Sequence, residues 1–148
     1  MKGVKTVEVV ANVASGSVGK DAPAEIEKIL SDFGLTPHVW APETGELEQC
    51  LRKAVDAAPD LLIILAGDGT ARAAAELAGP DGPVIAPLPG GTMNMLPKAL
   101  YGTADWKLAL RRALEEGAPQ AVAGGEVTDG DFTQSFYCAA NFGSPALW

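Results

Sequence analysis

The sequence predicts an α/β fold in which a parallel sheet is flanked by helices. A short, wholly apolar run at Leu61–Leu65 is typical of a strand that is covered on both faces. Glycine-rich turns at 66–70 and 89–94 follow this run and the next one, and each turn leads into a helical pattern. Strand, loop and helix recurring in this order indicate right-handed βαβ units, and therefore a parallel sheet.

The first part of the chain fits this pattern. Thr6–Val13 is rich in valine and carries a single charge, which predicts a buried strand that ends in the polar turn at 14–20. Asp21 is predicted to cap the following helix and Gly34 to end it. Thr36–Trp40 predicts the second strand. The apolar stripes of the first two helices contain Ile26, Ile29, Leu30 and Phe33, and then Leu47, Leu51, Ala54 and Val55.

The middle of the chain predicts two further strands and, besides the helix after the turn at 89–94, two further helices. Leu61–Leu65 is followed by an alanine-rich, strongly helical stretch after Thr70, and Val84–Leu88 repeats the apolar strand pattern. An amphipathic helix is predicted after Asp105. Its apolar face contains Trp106, Leu110, Ala113 and Leu114.

The last part of the chain predicts an antiparallel hairpin, because Ala121–Thr128 and Phe132–Ala140 flank a turn at 129–130. A hairpin alone is marginally stable, so we expect it to begin an incomplete β domain at 118–148, after an α/β nucleotide-binding domain at 1–117. The aromatic residues of this segment predict a site of self-association, and hence a homo-oligomer. They are Phe136, Tyr137, Phe142 and Trp148.

Composition excludes several classes of protein. A chain of 148 residues that is 47% hydrophobic supplies the core of one complete domain. Its net charge of -8 disfavours non-specific binding to nucleic acid. No apolar stretch has the length of a transmembrane helix. Cys50 and Cys138 have neither metal-site spacing nor a second pair, so we expect a cytoplasmic protein.

The glycine-rich turns predict a phosphate-binding site. Glycine lets backbone N–H groups approach a phosphate, and the following helix adds unpaired N–H groups and a positive dipole end. Ligands of parallel sheets bind beyond the carboxyl ends of the strands, where both turns and Asn12–Gly16 are predicted to converge. Asp68 is expected to face a phosphate or its Mg²⁺, with Thr70 capping the helix. The turn at 16–21 lacks P-loop spacing, and no dinucleotide fingerprint follows the first strand.

Three ordered motifs resemble those of the diacylglycerol kinase catalytic domain family, whose superfamily also contains sphingosine kinases and NAD kinases. The resemblance runs from about Val7 to Gly143, and bacterial lipid kinases are the most similar in pattern. In that family a strand ends in Asn and a Ser-Gly turn, and Gly-Gly-Asp-Gly-Thr and Pro-x-Gly-Thr-x-Asn motifs follow. The matching residues are Asn12, Ser15 and Gly16; Gly67, Asp68, Gly69 and Thr70; and Pro89, Gly91, Thr92 and Asn94.

The resemblance implies a Rossmann-like sheet that ends in the first hairpin of a truncated β-sandwich domain. It also implies ATP-dependent phosphoryl transfer to the hydroxyl of a lipid acceptor, with peripheral membrane contact through that acceptor. Asp68 is then the catalytic residue and the ligand of Mg²⁺. The residues implied for the nucleotide site are Asn12, Ser15, Gly16, Ala66, Gly67, Asp68, Gly69, Thr70, Gly91, Thr92 and Asn94. The family's general base, in an Asp-Gly-Glu motif of the second domain, cannot be assigned here.

Departures from the family pattern leave two alternatives open. Ala66 stands where the family usually has glycine, Arg72-Ala73 replaces a frequent Asn-Glu pair, and Met95 and Pro97 replace a common acidic residue and a common alanine. One alternative is a nucleotide-binding module or regulatory fragment without catalysis. The other is an NAD kinase-like enzyme, although the loop at 89–94 favours the lipid branch.

Overall fold

The computed structural model describes residues 3–119, 125–129 and 132–136. Its main sheet consists of β1 (Val7–Ala11), β2 (Pro37–Trp40), β3 (Leu61–Ala66) and β4 (Val84–Pro89). All neighbouring strands are parallel, and their order across the sheet is β2-β1-β3-β4. The predicted α/β class with a parallel sheet is therefore confirmed, with strand ends that differ from the prediction by one or two residues.

Helices cover both faces of this sheet. Within the described residues they are α1 (Ala22–Asp32), α2 (Leu47–Asp56), α3 (Asp68–Ala78), α4 (Met95–Tyr101) and α5 (Trp106–Glu116). One layer of the core lies between the sheet and helices α1 and α5. The other lies between the sheet and helices α2 and α3. The sheet is thus the middle of three layers, as parallel sheets require.

β3 lies inside the sheet because all six of its side chains are apolar and buried. Successive side chains of a strand point to opposite faces. Ile63 accordingly packs in the core below α1 and α5, whereas Ile64 packs in the core below α2 and α3. Both faces of this strand are therefore removed from water, as its uninterrupted apolar sequence predicts.

The predicted helix ends are partly confirmed. Gly34 has a φ of 74°, the left-handed conformation that ends a helix and that glycine adopts without strain. Asp105 caps α5, because its carboxylate accepts hydrogen bonds from the amides of Lys107 and Leu108 at 2.9 and 3.3 Å.

Two of the predicted caps are wrong. Asp21 precedes α1, but its backbone is already helical (φ -88°, ψ -6°) and its side chain makes no capping bond. A capping side chain requires an extended backbone at the cap position. Thr70 cannot cap α3 because it lies inside the first turn; the helix begins at Asp68, and Gly67 is the residue at the cap position.

A separate two-stranded antiparallel sheet pairs β5 (Gly125–Asp129) with β6 (Phe132–Phe136). This pairing confirms the predicted hairpin, but Asp129, a predicted turn residue, is the last residue of β5 and pairs with Phe132. The predicted outer ends of its strands lie outside the described residues, as do the turn residue Gly130 and the side chains proposed for self-association. The division at 117/118, the homo-oligomer and the cytoplasmic location stay predictions. Among the described helices, none has both the length and the apolar character needed to cross a membrane.

The strand order creates a crevice at the carboxyl edge of the sheet. From β1 the chain crosses to β2 at one edge, and from β3 it crosses to β4 at the other. The connections after β1 and β3 therefore diverge, and ligands of open α/β sheets bind at such a divergence. The three motifs of the sequence follow β1, β3 and β4, so all of them lie at this edge.

Candidate functional site

Three loops form the candidate site at the carboxyl edge of the sheet. The first loop, residues 12–20, follows β1; the second, residues 67–70, connects β3 to the first turn of α3; and the third, residues 90–94, follows β4. Parallel strands end side by side, so loops that are distant in sequence become neighbours. The predicted convergence of the motifs is confirmed by the contacts between these loops.

Serines of the first loop hold the third loop in place. The hydroxyl of Ser15 donates to the carbonyl of Gly90 at 2.8 Å, and the hydroxyl of Ser17 donates to the carbonyl of Gly91 at 3.1 Å. Asn12 acts within its own loop, where its side-chain oxygen accepts from the amide of Ala14 at 3.3 Å. The side chains of Asn12, Ser15 and Ser17 therefore hold the first and third loops in position.

The glycines of the third loop are required by close backbone packing. A Cβ atom at Gly91 would lie 2.6 Å from the Cα atom of Gly67, and a Cβ atom at Gly90 would lie 2.7 Å from the amide nitrogen of Ala66. Both distances are shorter than any ordinary carbon contact. The third loop thus lies directly on the second because neither Gly90 nor Gly91 has a side chain. Sequence reasoning assigned these glycines to phosphate binding and missed this packing role.

Asn94 fixes the shape of the third loop. Its side chain is only 4% exposed, accepts from the amide of Gly91 at 2.8 Å and donates to the carbonyl of the same residue at 3.0 Å. Its backbone is left-handed, with a φ of 52°, a conformation that asparagine tolerates better than most residues. Both polar atoms of this side chain thus bond to the protein itself, so any part that Asn94 has in binding a nucleotide is indirect.

Asp68 connects the second loop to α4. Its carboxylate accepts hydrogen bonds from the amides of Met95 and Leu96, at 3.0 and 3.3 Å, and so caps the N-terminus of α4 from a different helix. Asn94, at the cap position of α4, makes no capping bond to that helix. Sequence reasoning missed this role because capping residues are sought next to the helix they cap, whereas 27 residues separate Asp68 from Met95.

The N-terminus of α3 is open to a ligand. In the part of the chain that the structure describes, the amides of Asp68 and Gly69 have no hydrogen-bond partner. Gly69 is exposed, and a Cβ atom placed on it would meet nothing within 4 Å. Unpaired amides at the positive end of an 11-residue helix are suited to binding an anion.

A groove of about 400 Å³ extends from this point between α2 and α3. Gly69 and Thr70, in the first turn of α3, line part of it. Its walls are mainly apolar. The charged residues that line it are Glu48 and Arg52, which pair at 2.8 Å, and Glu76, which pairs with Arg72 at 3.0 Å. The apolar lining residues are Leu47, Leu51, Ala73 and Leu77. A groove of this volume accommodates a small organic ligand.

The residues described could hold Mg²⁺ only together with phosphate groups that supply further ligands. No group of three or more His, Cys, Asp or Glu side chains that could hold a metal ion occurs among the residues described. Asp68 offers one carboxylate whose oxygens each retain a lone pair beyond the bond to an amide. Mg²⁺ is commonly bound by one or two carboxylates together with substrate phosphates, so Asp68 fits such a site.

The other predicted site residues differ in accessibility. Gly16 and Thr92 are exposed on the crevice, and Gly67 is half-buried beneath the third loop. Ala66 is the last residue of β3 and only 2% exposed, so its side chain belongs to the core. The predicted residues are therefore brought together, and their part in nucleotide binding stays a prediction.

Residues 6–127 match the family model described as the diacylglycerol kinase catalytic domain, a span well over half of the 148 residues. None of the curated proteins matches the chain. A crystal structure of a diacylglycerol kinase from Bacillus anthracis str. Sterne is similar over 78% of this chain and 42% of that chain, with a TM-score of 0.64 and 19% sequence identity.

Two further structures from the same organism, each assigned provisionally as a diacylglycerol kinase, cover 78% of this chain and 41% of their own. Both are 19% identical to it, with TM-scores of 0.64 and 0.58. At this identity the likeness shows a shared fold, and the chain spans about two fifths of the length of these structures. By the extent of the family match, the chain belongs to the diacylglycerol kinase catalytic domain family.

Proposed function

We propose that this chain supplies the nucleotide-binding part of an ATP-dependent lipid kinase. In that reaction the terminal phosphoryl group of ATP passes to a lipid hydroxyl, which loses its proton, and ADP leaves. The family membership supports this reaction class. The observation that carries the nucleotide assignment is the open N-terminus of α3 at the crevice. Catalysis of phosphoryl transfer depends mainly on positioning and on neutralising charge, which such a site supplies.

The phosphates of the nucleotide are proposed to bind over Gly69. The amides of Asp68 and Gly69 point out of the first turn of α3 with no partner among the described residues. The absence of a side chain at Gly69 leaves the space above them clear. Hydrogen bonds from these amides to phosphate oxygens are charge-assisted, and such bonds are stronger than bonds between neutral groups.

The base is proposed to lie in the groove between α2 and α3. Gly69 and Thr70 line this groove, so a phosphate at the N-terminus of α3 and a ring in the groove would belong to one continuous site. Leu47 and Ala73, half-buried on opposite walls, offer apolar contacts to the faces of a base. Most of a small ligand's affinity comes from such apolar walls, and a few polar groups fix its orientation.

Mg²⁺, when bound, would offset the negative charge of the phosphates. Asp68 is the proposed protein ligand. Its two bonds to the amides of α4 hold the carboxylate in a fixed position at the start of α3. The half-buried environment of Asp68 limits competition from water.

One observation favours a second candidate function, a nucleotide-binding module without catalysis. Within the three loops of the candidate site, all of them described, Asp68 carries the one carboxylate, and Met95 stands where a second acidic residue is common in the family. Such a module would bind nucleotide through the same amides and transfer no phosphoryl group. Nucleotide binding is thus common to both candidates, and phosphorylation of a lipid separates them.

Calorimetric titration with a non-hydrolysable ATP analogue and Mg²⁺ tests the nucleotide site. We expect saturable binding. Gly69→Ala should weaken it about tenfold or more, because the methyl group would occupy the space proposed for the phosphate. The loss is equivalent to one charge-assisted hydrogen bond of roughly 1.5–3 kcal/mol. Asp68→Asn is expected to reduce the dependence of binding on Mg²⁺. Asp56→Asn, an equal change of charge at an exposed position of α2, is the matched control. Unaltered affinity in the folded Gly69→Ala variant would refute the proposed phosphate position.

A further inference from the structure

We propose that the segment Met93–Arg112 docks the protein on the surface of an anionic phospholipid membrane. The segment has four basic residues and one acidic residue, a net charge of +3, in a chain whose net charge is -8. It also contains every large apolar side chain that is exposed among the described residues: Met93, Met95, Leu100 and Leu108. The inference rests on the proposed function, because a membrane is where a lipid acceptor resides.

The first half of this docking surface lies beside the candidate site. Met93 and Met95 are 65% and 43% exposed, although both flank the buried Asn94. Lys98 lies three residues beyond Met95 on α4, so the two side chains are neighbours on the helix surface. Lys98 is exposed and has no ion pair with any described residue. Apolar side chains and an unpaired cation are thus presented together.

The second half is the face of α5 that adjoins α4. Arg112 donates a hydrogen bond to the carbonyl of Tyr101 at 2.5 Å, which holds this face of α5 against the end of α4. Leu108 lies one helical turn before Arg112 and is 40% exposed, so it continues the surface. Lys107 and Arg111 are instead paired with acidic residues of α1. The cations left for a partner are therefore Lys98 and Arg112.

Charge favours a membrane over a protein as the partner. Methionine and arginine occur at both kinds of surface, but lysine is depleted at protein–protein interfaces, whereas exposed apolar residues bordered by lysine and arginine are typical of surfaces that bind anionic lipids. The rest of the chain carries a net charge of -11 and would be repelled by the same lipids. The protein would consequently approach the membrane with this surface first, and Met93 would bring the third loop to the level of the lipid headgroups.

Co-sedimentation with vesicles tests the docking surface. The chain is mixed with vesicles of phosphatidylcholine alone, or of phosphatidylcholine with phosphatidylglycerol. We expect binding to the anionic vesicles that the double variant Met93→Ser/Met95→Ser abolishes and Met93→Leu/Met95→Leu retains. Lys98→Gln should weaken binding about fivefold, the typical contribution of one cation near such a surface. Lys28→Gln, at an exposed lysine on α1, should leave binding unchanged.

Three results would overturn the proposal. The first is that the chain does not bind anionic vesicles, and the second is that Lys98→Gln and Lys28→Gln change vesicle binding equally. The third is that light scattering shows the wild type as a dimer and the serine variant as a monomer, because the surface would then be an interface between two copies of the chain. If the serine variant does not fold, the two lysine variants decide the question alone. Nucleotide affinity is measured separately without vesicles. Intact nucleotide binding without vesicle binding would refute the docking surface alone, and the reverse result would refute the nucleotide site alone.

Discussion

The carboxylate of Asp68 accepts a hydrogen bond from the amide of Met95 at 3.0 Å and thereby ties the start of α3 to the start of α4. A helix N-terminus is stabilised by an acidic group, since its unpaired amides and dipole present positive charge. Here that group comes from the neighbouring helix. The second and third loops are thus joined by the side chain that is also the proposed ligand of Mg²⁺.

Substitution of Asp68 separates its structural role from its proposed role in binding. Asp68→Ala leaves the amides of Met95 and Leu96 without an acceptor, so we expect a loss of about 1–2 kcal/mol in the free energy of unfolding, the usual cost of removing a helix cap. Asp68→Asn keeps one acceptor oxygen and should lose about half as much. Urea denaturation of the variants measures both values. Equal stability of Asp68→Ala and the wild type would contradict the cap.

Alanine at Gly91 should destabilise the protein, whereas alanine at Gly69 should not. The Cβ atom at Gly91 would lie 2.6 Å from the Cα atom of Gly67, and overpacking of this kind costs roughly 1–3 kcal/mol. At Gly69 the added methyl group meets nothing within 4 Å, so no overpacking cost is expected there. Thermal unfolding followed by circular dichroism compares the two. A Gly91→Ala variant as stable as Gly69→Ala would refute the close approach of the loops.

Two substitutions of Asn94 distinguish its hydrogen bonds from its backbone conformation. Asn94→Gly removes both bonds to Gly91 but tolerates the left-handed backbone, so it should cost about 1–3 kcal/mol. Asn94→Ala loses the same bonds and adds about 1–2 kcal/mol of strain at a φ of 52°. Chemical denaturation should therefore rank wild type above glycine and glycine above alanine. An alanine variant more stable than the glycine variant would contradict the strain.

Burial of Tyr101 predicts a loss of stability at high pH. Desolvation raises the pKa of Tyr101 from 10 to about 12, because burial disfavours the ionised phenolate. In the unfolded chain the phenol of Tyr101 loses its proton near pH 10. The contribution of Tyr101 to the free energy of unfolding is therefore complete below pH 10 and is lost as the pH rises through 12. Stability of Tyr101→Phe should fall less than that of the wild type over this range. Parallel curves for the two proteins would refute the effect.

Much of the fold follows from local sequence patterns. The apolar run of β3 predicts a strand covered on both faces, and the structure buries all six of its residues. Gly34 and Asp105 mark helix boundaries by short-range chemistry, namely a left-handed conformation and a capping carboxylate. Such helix boundaries can be predicted from the sequence because the residue that causes the boundary and the backbone that it affects lie within a few residues of each other.

The roles of residues in the candidate site are harder to predict from the sequence, because they depend on contacts between segments that are distant along the chain. Nothing near Gly91 in the sequence indicates that Gly67 lies against it. Ser15 is likewise separated from its acceptor Gly90 by 75 residues. The sequence therefore predicts which residues meet at the crevice but not which of them hold the loops together.

Assignment of the backbone amides by nuclear magnetic resonance, followed by titration with the ATP analogue and Mg²⁺, tests the proposed phosphate position most directly. The largest changes in chemical shift are predicted at the amides of Asp68 and Gly69, with smaller changes along the groove residues Leu51 and Ala73. Changes confined to other parts of the chain, or no change at saturating nucleotide, would contradict the assignment of the α3 N-terminus as the nucleotide site.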